Sequence, residues 1–290
     1  MNAPLHNNLH QKDTEPAEAP NKPDTMLEYA RIKGAGNSRS GIVYSLISVA
    51  GLLGLWLAAS ELGWVRPLFL PSPLDVLQQL AHIADNGFAG ASLAAHTGWS
   101  LFRVFGAFAL AVVSAIPLGL LMGLNPVVRG LADPLIEFYR PLPPLAYLPL
   151  IIIWLGIDEV SKLTLIYLAM FAPLVLSARA GVRSVLPEQL HVAQSLGAGR
   201  RQQLLHIILP AALPEILTGM RIAIGFGWTT LVAAEMVAAQ SGLGYMVLNA
   251  SEFLNTDIVI LGIVLIGAIA LAFDYLMRLI ERKLVPWKGR

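Results

Sequence analysis

The chain has 290 residues, of which 56% are hydrophobic and 13% charged, with a formal net charge of +1 and no cysteine. Soluble domains average about 25% charged residues, so this balance points to a protein that lives in lipid. The small net charge gives no basic field for nucleic acid, and the missing cysteines exclude disulfides, thiolate metal sites and cysteine nucleophiles.

Residues 1–40, beginning "MNAPLHNNLHQKDTEPAEAPNKPDT", are rich in Pro, Asn and charge. They have too little apolar surface to offset the entropy of ordering, so a disordered cytoplasmic tail is expected there. The first apolar run begins only near Gly41, too late for a secretory signal. A helix needs about 20 mainly apolar residues to cross a bilayer. Residues 41–62 meet that requirement as a first transmembrane helix, and residues 63–95 follow as an extracytoplasmic segment containing a short amphipathic helix. Five further spans are predicted over Val104–Val128, Ala132–Gly156, Leu163–Val182, Ile216–Ala239 and Ile258–Ile280, within a core of residues 96–282. The third holds "RPLPPLAYLP", whose prolines argue against a uniform helix. Residues 283–290 form a second short cytoplasmic tail.

An even number of spans puts both ends on one side. Arg31, Lys33 and Arg39 at one end, with Arg278, Arg282 and Lys283 at the other, make that side cytoplasmic. The loop before the fifth span, with Arg179, Arg183, Arg200 and Arg201, then also lies inside, and "SGLGYMVLNASEFLNTD" lies outside. Arg66, Arg103 and Lys162 are exceptions to the rule.

The inside loop interrupts the apolar pattern with "PEQLHVAQSLGAGRRQQLLHIILP". Leu190, Ala193 and Leu196 are spaced for one helix face, with Glu188 and His191 on the other. Gly197 and Gly199 allow a sharp turn, and a second short helix is expected to stop at Pro210. A solvated loop with two surface helices would satisfy periodicity alone. The spacing is more specific: Ala193, then Gly197, then nine residues, then Ile207, Leu209 and Pro210. It resembles the signature E-A-A-x(3)-G-x(9)-I-x-L-P of the cytoplasmic loop of ABC importer permeases. His191 stands where that signature has Glu, and Val192 where it has Ala, so the glutamate's contact is not carried over.

The likeness extends from about His96 to Arg282 through "RPLPPLAYLPLIIIWLGI", "LPEILTGMRIAIGFGWTTLVAAE" and "GLGYMV". These stretches are similar to permeases of the nitrate, sulfonate and taurine importer group, and most of all to its taurine branch. The resemblance implies an all-α polytopic protein of the type I ABC importer permease fold, in a bacterial inner membrane. It implies a coupling helix that docks on a separate ATPase through Glu188, Leu190, His191, Ala193, Leu196, Gly197, Arg200, Arg201, Ile207, Leu209 and Pro210. The implied partners are two ABC ATPase subunits, an extracytoplasmic substrate-binding protein and a second permease copy in a homodimer. The cargo it implies is taurine, ahead of alkanesulfonates and nitrate or bicarbonate.

No G-x-x-x-x-G-K-[ST] loop occurs, so ATP and Mg belong on the partner and no cofactor is expected in this chain. No H-E-x-x-H or G-x-S-x-G occurs either, which leaves no recognisable metal or nucleophile constellation and argues against an enzyme. An ATP-independent secondary transporter would fit the hydropathy, yet the chain lacks clear internal inverted repeats and a dense set of intramembrane carboxylates for ion coupling.

Ionisable residues and prolines inside spans mark the remaining candidates. Arg140 and Glu235 either clamp helices together or line a pathway. Pro143 and Pro144 remove backbone donors at membrane depth, which is tolerated where the chain faces protein or a wet cavity. The third and fifth spans are therefore expected to line much of the pathway, with Trp228, Thr229 and Thr230 near it.

Overall fold

The structure, a computed structural model, describes residues 38–287. Most of the tail expected over 1–40, and the end of the one expected over 283–290, lie outside the described residues. The chain divides into two compact units, Met1–Ala58 and Ala59–Arg290. Helix α1 (Ser38–Glu61) begins in the first, slightly inside the region expected to be tail, and exposes Tyr44, Leu46, Ile47 and Leu52.

The second unit opens with the amphipathic helix α2 (Pro73–Asn86). Ser72 Oγ accepts from the Asp75 N–H at 3.2 Å while the Asp75 carboxylate accepts from the Ser72 N–H at 3.0 Å, satisfying two orphan donors of the first turn. Val76 and Ile83 are buried, and Leu74 and Leu77 are exposed on another face. Helix α3 (Leu93–Leu124) starts at the Ser92 cap, well before the expected Val104. Ending a span at its first charge misplaced this boundary: Arg103 sits inside the helix because it is paired.

Asn125 ends α3 and caps α4 (Pro126–Tyr139), its Oδ1 accepting from Val127 N–H at 2.9 Å. Helix α5 (Pro144–Leu155) follows at a bend of 103°, so the third expected span is a broken pair. Pro141, Pro143 and Pro144 cannot donate backbone hydrogen bonds, which prevents α4 from continuing through the bend. Helix α6 (Glu159–Arg183) is followed by α7 (Pro187–Ser195) and the single turn α8 (Arg200–Gln203). A π turn, Leu204–Ile208, leads into α9 (Leu209–Ala238); then come α10 (Leu243–Glu252) and α11 (Thr256–Leu284). Five of these helices are long and apolar enough to cross a membrane, or six when the bent pair counts as one span.

Pro210 does not stop the second loop helix. The helical path runs through it from Arg200 to Ala238. The Leu209 N–H reaches back to the Leu204 carbonyl in the wider π register, just where the proline ring would crowd an α-helical turn.

Helix α6 is the central element, packed along α3 on one side and α9 on the other. Ile166, Met170, Leu174 and Val175 of α6 join Val104, Ala107 and Ala111 of α3 and Trp228 and Leu231 of α9 in one core. Lipid tails are as apolar as leucine, so this core is held by close packing and polar contacts rather than by escape from water. At Gly181 a Cβ would lie 2.8 Å from both the Cβ and the carbonyl oxygen of Ala212, which shows how closely α6 and α9 approach. Ion pairs add specific joints: Arg179 with Asp133 between α6 and α4, and Arg221 with Asp274 at 3.0 Å between α9 and α11.

Candidate functional site

Three features concentrate the polar chemistry of the second unit. The first is a buried ionic clasp. Arg103 of α3 donates from Nε to Glu159 Oε2 at 2.7 Å and from Nη2 to Glu159 Oε1 at 2.8 Å, a two-pronged contact with the start of α6. Its Nη1 donates to Glu235 of α9 at 2.7 Å and to the Ser241 carbonyl at 2.6 Å. Glu235 also accepts from Ser100 Oγ at 2.8 Å and the Gly244 N–H at 2.8 Å. Lys162 Nζ donates to Glu159 at 2.8 Å, so two cations and two carboxylates balance.

The surrounding backbone is built to admit this cluster. Gly242 has φ +136°, a region L side chains rarely adopt, and the Glu235 carboxylate occupies the space where its Cβ would be. His96 Nδ1 lies 3.1 Å from the Gly242 N–H and its Nε2 lies 3.0 Å from the Phe88 carbonyl. The ring thus joins the Phe88 and Gly242 turns.

The second feature is the α4–α5 bend. A pocket of about 490 Å³ there is lined by Tyr139, Arg140, Pro143, Pro144 and Tyr147, with Phe226 entering from α9. Of the other expected pathway residues, Trp228 and Thr230 are buried in the packing, and Thr229 is exposed and donates to the Phe226 carbonyl at 2.9 Å. None of the three lines the bend pocket. Glu235 lies in the clasp, so the structure separates it from Arg140.

The third feature is the inside loop. Helix α7 ends in a Schellman turn: the Gly197 N–H bonds to the Gln194 carbonyl and the Ala198 N–H to the Ala193 carbonyl, each at 2.9 Å. Gly197 takes φ +83°, the left-handed conformation such a turn requires, which explains a glycine at this position. Ala193 is buried, whereas Leu196, expected on the same face, is 83% exposed because it lies just past the last helical residue. Glu188, His191, Arg200 and Arg201 are exposed and Leu190 is half-buried. Ile207 and Pro210 form one wall of a groove of about 600 Å³ whose other walls include Glu188, Val192 and Trp287.

Residues 115–286 match the family described as binding-protein-dependent transport system inner membrane component. The chain is 53% identical over 264 residues to the taurine transport system permease protein TauC of Escherichia coli K12, covering 91% of this chain and 96% of that protein. This chain belongs to the binding-protein-dependent permease family.

The permease is also 34% identical to a putative aliphatic sulfonates transport permease protein, SsuC, of Bacillus subtilis, over 92% of this chain and 95% of that one. Its fold resembles the inward-facing MetNI methionine ABC transporter, with a TM-score of 0.58 over 66% of this chain and 95% of that chain at 15% identity. It is accordingly a multi-pass inner-membrane subunit of an ABC importer, in a family that works with ATPase and substrate-binding partners and does not itself perform catalysis. Sequence reasoning missed most of the permease's clasp. Arg103 and Lys162 stood out only as exceptions to the charge rule, and Ser100, His96 and Glu159 carried no local signal because their partners lie far away in the chain.

Proposed function

We propose that this permease conducts taurine, as the membrane half of an ATP-driven uptake system. The observation that carries the reading is the 53% identity to a taurine permease along nearly the whole chain. Alkanesulfonates are the second reading, supported by the more distant sulfonate permease. Two ATPase subunits, each holding ATP and Mg, would flank a homodimer of this chain, and a substrate-loaded binding protein would dock on the outer side. Both termini would lie in the cytoplasm.

In this arrangement α7 is the coupling helix. Ala193 seats it against the permease, Gly197 turns the chain, and exposed Val192 and Leu196 present apolar surface to the ATPase with Arg200 and Arg201 at its edge. The bend carrying Arg140, Pro143 and Pro144 lines the pathway. Irregular backbone is tolerated at membrane depth where it borders a cavity, and a pocket lies at this break.

The test is uptake of labelled taurine, ethanesulfonate and nitrate by proteoliposomes containing the permease, its ATPase and its binding protein. Taurine uptake that requires ATP inside and the binding protein outside is expected. Uptake driven by an ion gradient with the permease alone would overturn the reading.

A further inference from the structure

The bend pocket gathers polar groups that form no side-chain ion pair or side-chain hydrogen bond among the described residues. Tyr139 Oη is buried against the backbone of Ala172 and meets no side-chain partner, and its residue lines the pocket. Arg140, also in the wall, enters none of the ion pairs found among the described residues. On the facing helix α6, Pro173 has no N–H to give the Ala169 carbonyl four residues earlier, and both residues line the same pocket. Tyr147 and Phe226 complete the wall with aromatic surface.

These groups form two complementary halves. A guanidinium and a phenolic hydroxyl are donors suited to a tetrahedral oxyanion, and guanidinium recognises such groups through paired hydrogen bonds. A carbonyl without its helical donor is an acceptor, and aromatic faces attract cations, so together they suit an ammonium group. Burying a hydroxyl proton without an acceptor is unfavourable unless a ligand or water supplies one, and broken helices near the membrane centre are where transporters expose such groups.

We propose that the α4–α5 bend is a binding site for one zwitterionic aminosulfonate, with Arg140 and Tyr139 at its sulfonate and the Ala169 carbonyl, Tyr147 and Phe226 around its ammonium. The inference rests on the sulfonate-import reading and gives that pathway a selective step within the membrane. A sulfonate lacking the amine fills only half of the site. Charge on both ends of the ligand is thus matched by the pocket rather than by the binding protein alone.

The chain has no cysteine, so Ala169→Cys supplies a single thiol in the pocket wall. The complete transporter carrying it is reconstituted and treated with a charged, water-soluble thiol reagent. Labelling is expected, and taurine is expected to slow it more than ethanesulfonate does. Arg140→Gln and Tyr139→Phe should each weaken taurine protection about tenfold, the effect of losing one hydrogen bond to a charged group. Co-purification of the ATPase with both variants shows an assembled machine. An unlabelled thiol, equal protection by both sulfonates, or full taurine protection in both variants would overturn the site while leaving measured taurine uptake to support the cargo reading. Absence of taurine uptake by the unaltered transporter would overturn the cargo reading itself, and the aminosulfonate site with it.

Discussion

Arg103 and Glu235 are separated by 132 positions in the chain and meet at 2.7 Å, with side chains 1% and 0% exposed. The pair links α3 to α9, and Glu159 extends it to α6. A buried charge that loses its partner keeps its desolvation cost without the compensating attraction, so single truncations are expected to harm more than joint replacement. Glu235→Leu should lower stability by about 3–5 kcal/mol, and Arg103→Met with Glu235→Leu should recover part of that loss. Thermal unfolding of the purified permease in detergent checks this; a double variant less stable than both single variants would contradict it.

The positive φ of Gly197 sets the direction in which the chain leaves α7. Gly197→Ala should cost about 1–2 kcal/mol locally because a Cβ is disfavoured in the left-handed region. Gly197→Glu adds bulk and charge at the proposed ATPase face, and should leave membrane insertion intact while abolishing uptake. Co-purification of the ATPase together with taurine uptake provides the readout, and survival of both would remove the docking assignment.

Leu196 and Ala193 should behave differently despite their common place in the loop. Leu196 is 83% exposed and Ala193 is 9% exposed. Leu196→Asp is expected to leave the permease's melting temperature nearly unchanged while weakening ATPase association. Ala193→Asp should lower the melting temperature as well, because it buries an unpaired charge. Parallel melting and pull-down measurements separate the two effects.

Two glycines on helix faces test what kind of neighbour sets the cost of added bulk. An alanine at Gly181 would meet the Ala212 backbone, whose carbonyl oxygen lies 2.8 Å from the added Cβ. At Gly227 the obstacle is the flexible Met170 side chain. Gly181→Ala should therefore cost about 1–3 kcal/mol, the usual range for overpacking, and Gly227→Ala less, since a thioether end can move aside. Equal losses in melting temperature would show that the Met170 pocket is as rigid as the helix contact.

The apolar runs made the membrane architecture readable, because a bilayer imposes nearly the same length on every crossing. Arg103 shows where such reading fails: a local hydropathy rule treats any charge as an end, whereas a charge paired across helices belongs to the interior. Pro210 failed for a related reason, since the rule that proline stops a helix omits the π turn that accommodates it. The loop spacing was legible because Gly197 answers to its own turn and needs no distant partner. Glu235 was conspicuous as a charge in an apolar stretch, but only the folded chain separates its place in the clasp from the pocket beside Arg140. Tyr139 carried no sequence signal, since the burial of a hydroxyl is a property of its surroundings.

The continuous helical run from Arg200 to Ala238 contains 39 residues, which at about 1.5 Å per residue makes a rod of about 58 Å. Its first turn adjoins the proposed ATPase contact, Phe226 reaches the bend pocket partway along, and Glu235 occupies the clasp near its far end. A tilt applied at one end of such a rod would reach all three stations.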